Sequence, residues 1–512
     1  MEKVKKNFKK LTAMVLTLCM IAGSAGSISL PVKAASGNTT KTANVVVFVD
    51  FKDTSHAGHS DSECPVKRPG YVKELYDGDT AHPRAMKQYL SAISYGQLSV
   101  ENIFPQMTGS VLAPYKLSGS ADAYYGNDGI TKIIDELTRG GNLSLPPAAD
   151  QNGDKIIDNL TIVVPSTNDG KNDFNFNGHK STYYGSGSLG GFKISSYNLI
   201  PEYGAFLKGD TGLLIHEFLH TMGYPDLYRG DHSGMPVGRW DIMASQNAYV
   251  QYPLAYLRSV RSGWFQMDTV TTSRSCSLYA ASMTTEATKD QQALILKTGY
   301  SDSEFFVVEY RKQHKETESS YENWIPGSGL IVYRVNPSLN TNIDGSRDMI
   351  YVFRSGDSYD SNGREKALEI DKSWLSQESK RTSFGSQDPK ASLEDDAIVY
   401  SDGTNSGIVI SNVGSSAGNQ ITFDITFTDM SNQDYWTTVS EQSEYTYQMG
   451  DSFMDTDGVL YVLREGSYGS GLMLYKYDRG TWSPCSSALK DIMSSFQPQL
   501  EKYNGKFYVA GR

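Results

Sequence analysis

The chain has 512 residues, of which 39% are hydrophobic and 21% are charged, and its formal net charge is −11. These values are ordinary for a soluble globular protein of two to four domains. The acidic balance disfavours nucleic acid and anionic lipid surfaces as partners. Beyond residue 35 the chain keeps Cys64, Cys276 and Cys485, which are too far apart for a disulfide framework. At most one bridge can form, and free thiols are favoured.

Residues 1–35 differ from the rest of the chain. Five lysines in residues 1–10 precede the apolar run LTAMVLTLCMIAG, and Val32 and Ala34 offer small side chains for cleavage. This order predicts a secretory signal peptide and therefore an extracellular protein. A membrane anchor is the alternative, but the apolar run is short for a span. Removing residues 1–34 would remove six lysines and one glutamate, which lowers the formal charge from −11 to −16.

Strands and helices alternate through residues 36–268, which we interpret as the first domain. β-Branched or alternating runs predict strands, and apolar residues at helical spacing predict helices. The predicted strands span 44–51, 95–104 and 159–166, and the predicted helices span 82–94 and 129–141. Such alternation is typical of an α/β or α+β domain.

Residues 269–430 consist mainly of short apolar or alternating runs separated by turns, and only 364–377 has some helical character. This pattern predicts an all-β sandwich domain. Its predicted strands span 292–299, 304–313, 329–336, 348–356, 397–403, 407–414 and 420–429.

Residues 431–512 contain a repeat, preceded by a polar segment at 429–434 that predicts a linker. The sequence DGVLYV begins at Asp457 and NGKFYV begins at Asn504, 47 residues later. A turn followed by an aromatic strand at this period is typical of propeller blades, but two copies cannot close a propeller. We expect a β-rich repeat region, which is either a truncated propeller or two similar hairpins.

The segment HEFLHTMGYPD at 216–226 predicts a metal site. His216 and His220 are four residues apart, so a helix places both imidazoles on one face at a spacing that zinc accepts. Glu217 is rotated by about 100° from His216 and can lie beside the metal, where it can take a proton from water. Gly223 permits a sharp turn that can return Asp226 as a third ligand, leaving a fourth position open. The alternative is a core helix with two satisfied histidines.

The pattern HExxHxxGxxD resembles the long zinc motif of the metzincin metallopeptidases, with aspartate in place of the more usual third histidine. GRWDIMAS at 238–245 resembles the methionine turn of that clan. VVVFVDFKD, SYGQLSV, LRSVRSGWF and EYRKQ…IPGSGLIVYRV are similar to segments of the secreted bacterial immune inhibitor A-like metallopeptidases. This resemblance covers roughly residues 44–427. It implies a zincin-like catalytic domain in which His216, His220 and Asp226 bind zinc and Glu217 is the general base.

The resemblance also implies roles for residues around this motif. Met243 matches the methionine that supports the metal site from below, although a core methionine is the plainer interpretation. Tyr249 or Tyr252 could stabilise the oxyanion of the transition state, and both could equally be packing residues. Asp231 and His232 lie close by in the sequence and could replace Asp226 as the third ligand. Cys64 could block the zinc, but an unrelated loop cysteine is favoured.

The segment DQNGDKIID at 150–158 predicts a calcium site. Its oxygen donors are Asp150, Asn152, Asp154, the carbonyl of Ile156, and Asp158, at positions 1, 3, 5, 7 and 9 of a loop that resembles an EF-hand. Lys155 replaces the usual glycine at position 6 and Thr161 replaces the usual glutamate at position 12, so this is not a true EF-hand. A calcium-binding loop is favoured over a plain polar turn, with a structural role.

The main hypothesis is a secreted zinc-dependent endopeptidase that hydrolyses extracellular proteins or glycoproteins. The alternative is a catalytically degenerate secreted protein whose β-domains bind host or matrix glycoprotein, but the intact Glu217 disfavours degeneracy. Zinc-dependent hydrolysis of a non-peptide substrate is a third hypothesis. The β-rich C-terminal domains suggest a polymer or surface ligand by analogy alone. No membrane association is expected after signal cleavage.

Overall fold

The computed structural model describes residues 39–428, apart from 59–63, 80–81, 127, 141–142, 167–175, 208–210, 248, 316–320 and 344–346, and six strand segments between 449 and 510. The predicted signal peptide at 1–35 and the predicted linker at 429–434 lie outside this part. The fold is mixed α/β, with several sheets and few helices. None of the helices in the described part is long and apolar enough to cross a membrane.

The described residues of the N-terminal part form ten strands and four α-helices. The strands are β1 (Thr40–Asp50), β2 (Leu98–Ile103), β3 (Met107–Thr108), β4 (Val111–Leu112), β5 (Tyr115–Lys116), β6 (Leu160–Val164), β7 (His179–Thr182), β8 (Ser188–Leu189), β9 (Phe192–Lys193) and β10 (Ser196–Pro201). The helices are α1 (Pro69–Tyr76), α2 (Met86–Ile93), α3 (Gly129–Gly140) and α4 (Thr211–Thr221). All predicted strands and helices of this part form, with bounds that differ by a few residues.

A six-stranded sheet forms the centre of the N-terminal part. Its strand order is β2–β1–β6–β10–β7, with β5 beside β1, and only β7 runs antiparallel to its neighbour. Alternate residues of β1 enter two different cores: Val46 packs in the core that contains α2 and α4, whereas Val47 packs with α3. Helices therefore cover both faces, which explains why β1 is an unbroken apolar run.

The described residues between 268 and 427 form ten further strands. They are β11 (Asp268–Val270), β12 (Arg274–Tyr279), β13 (Ala293–Leu296), β14 (Phe305–Arg311), β15 (Gly329–Val335), β16 (Ile350–Val352), β17 (Trp374–Leu375), β18 (Phe384–Gly385), β19 (Ile408–Ser411) and β20 (Gln420–Phe427). One sheet has the order β11–β13–β14–β15–β16 with β17 beside β15, and a second has the order β12–β20–β19–β18.

The sheet that contains β14 is buried on both faces. Phe306 and Val308 pack in a core shared with Ile410 of the second sheet. Between them, Val307 points the other way and packs in the core that contains Phe218 of helix α4. The apolar interior around α4 therefore continues into the β-rich part of the chain.

Two local predictions for this part are wrong. Residues 397–403 contribute only an isolated bridge between Val399 and Asn405, because hydrophobicity predicts burial but not ladder pairing. Residues 364–377 form one 3-10 turn, Ile370–Lys372, and the short strand β17. Ala367 and Glu369 have φ angles of +53° and +48°, which a right-handed helix cannot accommodate.

The last strands form two antiparallel sheets. They are β21 (Met449–Met454), β22 (Leu460–Glu465), β23 (Leu472–Asp478), β24 (Thr481–Pro484), β25 (Gln499–Tyr503) and β26 (Lys506–Ala510). The first four form one sheet in sequence order, and the last two form a hairpin. The two aromatic strands of the predicted repeat correspond to β22 and β26. No closed barrel or propeller is found among the residues that are described. Cys64, Cys276 and Cys485 are all free.

Candidate metal centre

Helix α4 carries the two histidines of the predicted motif. Leu214, Ile215, Phe218 and Leu219 are buried, which fixes the helix against the central sheet. At its end the N–H of Gly223 donates to the carbonyl of His220 at 3.0 Å, and the N–H of Tyr224 donates to that of Leu219 at 3.0 Å. This Schellman motif requires a left-handed residue, and Gly223 supplies it with φ +83°. The predicted sharp turn at Gly223 is confirmed.

The turn returns Asp226 to the two histidines. Oδ1 of Asp226 lies 3.1 Å from Nε2 of His216 and 3.3 Å from Nε2 of His220. The two imidazole rings stand edge to face, with centroids 4.7 Å apart. One ligand atom of each residue lies within 4.8 Å of the others, as binding of a single ion requires. The structure thus brings together the three side chains that were predicted as zinc ligands.

Hydrogen bonds orient both imidazoles. Nδ1 of His216 lies 3.0 Å from the carbonyl oxygen of Ile242, and Nδ1 of His220 lies 2.8 Å from that of Tyr224. Because a carbonyl oxygen can only accept, each Nδ1 must carry the proton. In the neutral rings the Nε2 atoms then present their lone pairs toward Asp226. A histidine that ligates a metal is fixed by its other nitrogen in this same way.

The environment of Asp226 fits a cation. Its Oδ1 atom is buried and receives no well-directed hydrogen bond from the described residues. Burial alone would raise the pKa of Asp226, but His216 and His220 hold it well below its usual range. A carboxylate that faces two imidazole nitrogens needs a positive charge between them, supplied by a metal ion or by protons. Two histidines and one carboxylate form a donor set that suits catalytic zinc.

Glu217 lies beside this group and is itself buried. The pKa of Glu217 is raised to about 7, chiefly by desolvation, which outweighs the lowering effect of His216 and is supported by the Asp226 carboxylate. Its Oε2 atom has no hydrogen-bond partner among the described residues. A carboxyl with this pKa can accept and release a proton near neutral pH.

Gly178 borders Glu217, although it belongs to none of the predicted motifs. A Cβ atom at this position would lie 3.2 Å from Oε1 of Glu217 and 2.7 Å from Cδ1 of Leu213. The backbone just before strand β7 therefore comes close to the carboxylate. Nothing in the local sequence around Gly178 indicates this approach, because it depends on how β7 packs against α4.

The predicted methionine turn, residues 238–245, contacts the segment that carries the predicted zinc ligands. Oδ1 of Asp241 accepts the N–H of Met243 at 2.7 Å, and its Oδ2 accepts the N–H of Leu254 at 2.7 Å. Burial raises the pKa of Asp241 to about 6. Met243 is fully buried, and its carbonyl accepts the N–H of Leu227 at 3.0 Å. This segment therefore contacts the chain beside Asp226, and its Ile242 carbonyl orients His216.

The two candidate tyrosines have different surroundings. Tyr252 is buried and packs against Tyr321, with ring centroids 5.5 Å apart, and against Tyr89 at 6.0 Å. Tyr249 is 38% exposed, and the guanidinium of Arg84 lies 5.3 Å from its ring centroid. In the described part, neither hydroxyl hydrogen-bonds to a predicted zinc ligand. Tyr252 has the contacts of a packing residue, whereas the Tyr249 ring keeps access to solvent.

The alternative third ligands lie apart from the histidines. The Asp231 carboxylate is exposed, accepts the N–H of Ser233 at 3.0 Å and lies 3.3 Å from Nη1 of Arg364. His232 is exposed and has φ +56°. Of the three candidates, Asp226 is the one that joins His216 and His220.

Cys64 is also not part of the cluster formed by His216, His220 and Asp226. Its thiol is buried and donates to the carbonyl of His56. Burial raises the pKa of the Cys64 thiol.

The predicted calcium loop is compact and exposed. The Asp150 carboxylate accepts the N–H groups of Gly153 at 2.7 Å, Asp154 at 3.1 Å and Lys155 at 2.8 Å. Lys155 has φ +64°, so it adopts the left-handed conformation for which an EF-hand uses glycine at this position.

The other predicted calcium donors have partners within the protein. Oδ1 of Asn152 accepts the N–H of Asp154 at 2.9 Å, and Oδ1 of Asp154 accepts the N–H of Ile156 at 2.8 Å. Oδ2 of Asp158 accepts the N–H of Ala43 at 2.8 Å. Burial raises the pKa of Asp158, and the Asp150 and Asp154 carboxylates add to the effect. Among the described residues, ligand atoms within 4.8 Å of one another are found for His216, His220 and Asp226 but not for the three aspartates of this loop. Calcium binding therefore stays a prediction.

No protein-family model matches this chain, and no curated protein matches it. The function of the candidate metal centre is therefore inferred from its geometry.

Proposed function

We propose that the protein is a secreted zinc-dependent endopeptidase of the immune inhibitor A-like type, within the metzincin clan. The proposal includes a zincin-like catalytic domain at 36–268 and a β-sandwich domain at 269–430. The observation that carries it is the convergence of two Nε2 atoms and one carboxylate oxygen next to a buried glutamate. Three protein ligands leave a position for water, as catalytic zinc sites do.

The residues of the centre divide the chemistry between them. His216, His220 and Asp226 would hold the zinc ion, which when bound supplies a Lewis acid that polarises a peptide carbonyl and acidifies water. Glu217 takes the proton of the attacking water, because its buried carboxylate lies beside the ligand residues and its Oε2 atom has no hydrogen-bond partner among the described residues. The same carboxyl then donates this proton to the leaving amine. The carbonyls of Ile242 and Tyr224 keep the imidazoles oriented throughout.

The surroundings of Glu217 favour an extended peptide as substrate. Strand β7 is the last strand at its end of the central sheet among the described residues, and it pairs only with β10. Gly178, just before β7, borders the Glu217 carboxylate. A peptide that adds to the open edge of β7 would gain backbone hydrogen bonds and pass the base. A small non-peptide substrate would not use this edge.

Secretion, a structural calcium ion and attachment to a surface complete the proposed function. The signal-peptide pattern at 1–35 supports secretion. The backbone conformation of the 150–158 loop supports a structural calcium ion. The β-rich region at 431–512 is proposed to bind a polymer or surface ligand, which would direct the enzyme to extracellular protein or glycoprotein substrates.

Digestion of casein or gelatin tests the proposal. The wild type, Glu217→Gln and a chelator-treated sample are compared, with the zinc content of each measured. We expect one zinc ion per chain in the first two samples and hydrolysis by the wild type alone. Proteolysis that is unchanged in Glu217→Gln would overturn the proposal. Zinc binding without hydrolysis across a broad peptide library would instead favour the binding-protein alternative.

A further inference from the structure

The backbone of Asp226 is held by a distant part of the chain. Its carbonyl oxygen accepts a hydrogen bond from Oγ1 of Thr341 at 2.8 Å and another from the N–H of Asn342 at 3.1 Å. Nδ2 of Asn342 also donates to the carbonyl of Leu227 at 3.0 Å. Thr341 and Asn342 lie between strands β15 and β16, in the β-rich part of the chain.

The side chain of Asn342 is anchored in this β-rich part. Its Oδ1 accepts the N–H of Ile350 at 3.0 Å, and its Nδ2 donates to the carbonyl of the same residue at 2.9 Å. Asn342 and Ile350 are both completely buried. Because Ile350 begins strand β16, the position of Asn342 is tied to the sheet.

A second contact holds the same short segment from the opposite direction. The N–H of Leu227 donates to the carbonyl of Met243 at 3.0 Å. The backbone at Asp226 and Leu227 is therefore fixed between the methionine turn and the Thr341–Asn342 pair. Aspartate has a short side chain, so its carboxylate moves with its backbone.

We propose that Thr341 and Asn342 are positioning residues for the third metal ligand. The β14–β15–β16 sheet then completes the metal centre of the N-terminal part. The inference rests on the proposed function, in which Asp226 binds zinc. Partners that orient a ligand are worth roughly 10- to 100-fold in metal affinity, because the ion needs its ligands within a few tenths of an ångström.

Other contacts keep the neighbouring chain in place without Thr341. Nε of Arg229 donates to the buried carboxylate of Asp348 at 2.9 Å, and Nη1 of Arg229 donates to the carbonyl of Ser233 at 2.6 Å. Loss of the Thr341 hydroxyl should therefore shift Asp226 without unfolding the segment. A loss of zinc affinity without a loss of stability therefore distinguishes a positioning role from a purely structural one.

The test compares Thr341→Val with Thr341→Ser, which keeps the hydroxyl group. Thr284→Val is the matched control, because the Thr284 hydroxyl also donates to a backbone carbonyl at 2.8 Å, that of Ala281. Zinc affinity is measured by competition with a chromophoric chelator. The unfolding midpoint of each metal-free protein is measured separately. We expect zinc affinity to fall about 10-fold in Thr341→Val and to stay within twofold of the wild type in the other two.

Three results would overturn the inference in different ways. Zinc affinity in Thr341→Val equal to that of Thr284→Val, while Asp226→Asn loses zinc, would remove the positioning role and leave the proposed function standing. If the wild type binds no zinc, or if Asp226→Asn binds zinc as tightly as the wild type does, the proposed function and this inference are both overturned. A loss of affinity in Thr341→Val that Thr341→Ser shares in full would also contradict the role of the hydroxyl.

Discussion

Oδ1 of Asp226 lies 3.1 Å from Nε2 of His216, although Asp226 follows the end of the helix that carries His216. The left-handed Gly223 reverses the chain between them. The carbonyl of Ile242 holds the proton of His216 on the opposite ring nitrogen. The carboxylate therefore meets an imidazole lone pair in the neutral ring, an arrangement that a bound cation makes favourable.

Replacement of Asp226 by asparagine should weaken zinc binding more than the roughly 10- to 100-fold that loss of an outer partner costs. The amide keeps the shape of the side chain but removes the negative charge that balances the ion. Zinc affinity measured by chelator competition checks this. Asp231→Asn is the matched control, because Asp231 is exposed and lies 3.3 Å from Arg364. Equal losses in the two variants would mean that Asp226 is not the ligand.

Glu217→Gln should stabilise the metal-free protein at high pH. The folded pKa of Glu217 is about 7, above the ordinary value of 4.5, so the folded state binds this proton more tightly than the unfolded state. The stability of the wild type then falls as the pH rises from 4.5 to 7, by about 3 kcal/mol. Because glutamine cannot ionise, the free energy of unfolding of the variant does not fall in this way as the pH rises.

The measurement is the urea midpoint of chelator-treated wild type and Glu217→Gln between pH 4.5 and pH 8. The difference between the two proteins should grow with pH and level off above about pH 7. A difference that is constant over this range would show that Glu217 is ionised throughout and not strongly desolvated.

Gly178→Ala should impair catalysis while zinc is retained. A Cβ atom there would lie 2.7 Å from Cδ1 of Leu213 and 3.2 Å from Oε1 of Glu217, so the carboxylate must shift. Small displacements of a catalytic group can lower kcat/KM by about 10- to 100-fold. Peptide hydrolysis and zinc content are measured on the same samples. Gly70→Ala in helix α1 is the control, because no atom other than those of its chain neighbours and the backbone of its own helix lies within 4 Å of its added Cβ. Full activity in Gly178→Ala would show that the added methyl group does not displace the Glu217 carboxylate.

Arg311→Met should destabilise the protein by about 3–5 kcal/mol, because it leaves the buried Glu322 carboxylate without its partner. Nε of Arg311 donates to that carboxylate at 2.8 Å, and Nη1 donates to the carbonyl of Trp240, within the predicted methionine turn, at 2.9 Å. Denaturant unfolding checks the value. In Arg311→Met/Glu322→Gln part of the loss should return. Additive losses in the double variant would contradict the coupling.

Calcium should stabilise the wild type by about 2.7 kcal/mol at 100 times its Kd, through binding to the folded loop. In Asp154→Asn this gain should largely disappear, because one of the predicted carboxylate donors is removed. The melting temperature with and without calcium is the readout. Asp388→Asn serves as control, since its carboxylate likewise accepts a backbone N–H, that of Lys390 at 3.0 Å. No calcium effect on the wild type would leave the 150–158 segment as a plain turn.

Local patterns predicted most of the helices and strands, and they predicted His216, Glu217 and His220 of the candidate metal centre. The unbroken apolar run of β1 and the helical spacing in α4 reflect burial of each element on its own. His216, Glu217 and His220 could be assigned because one helical turn sets their spacing. Gly223 could be assigned because only a left-handed residue ends the helix in this way, and glycine adopts that conformation most readily.

Contacts between segments far apart in the chain needed the tertiary structure. The sequence predicted Asp226 as the third ligand but left Asp231 and His232 as competitors, and of these three the path of the chain after Gly223 brought only Asp226 to the histidines. The approach of Gly178 to Glu217 depends on the packing of β7, and the bonds from Thr341 and Asn342 to Asp226 depend on that of a separate sheet. Such contacts arise from the mutual fit of whole elements, and no local periodicity encodes that fit.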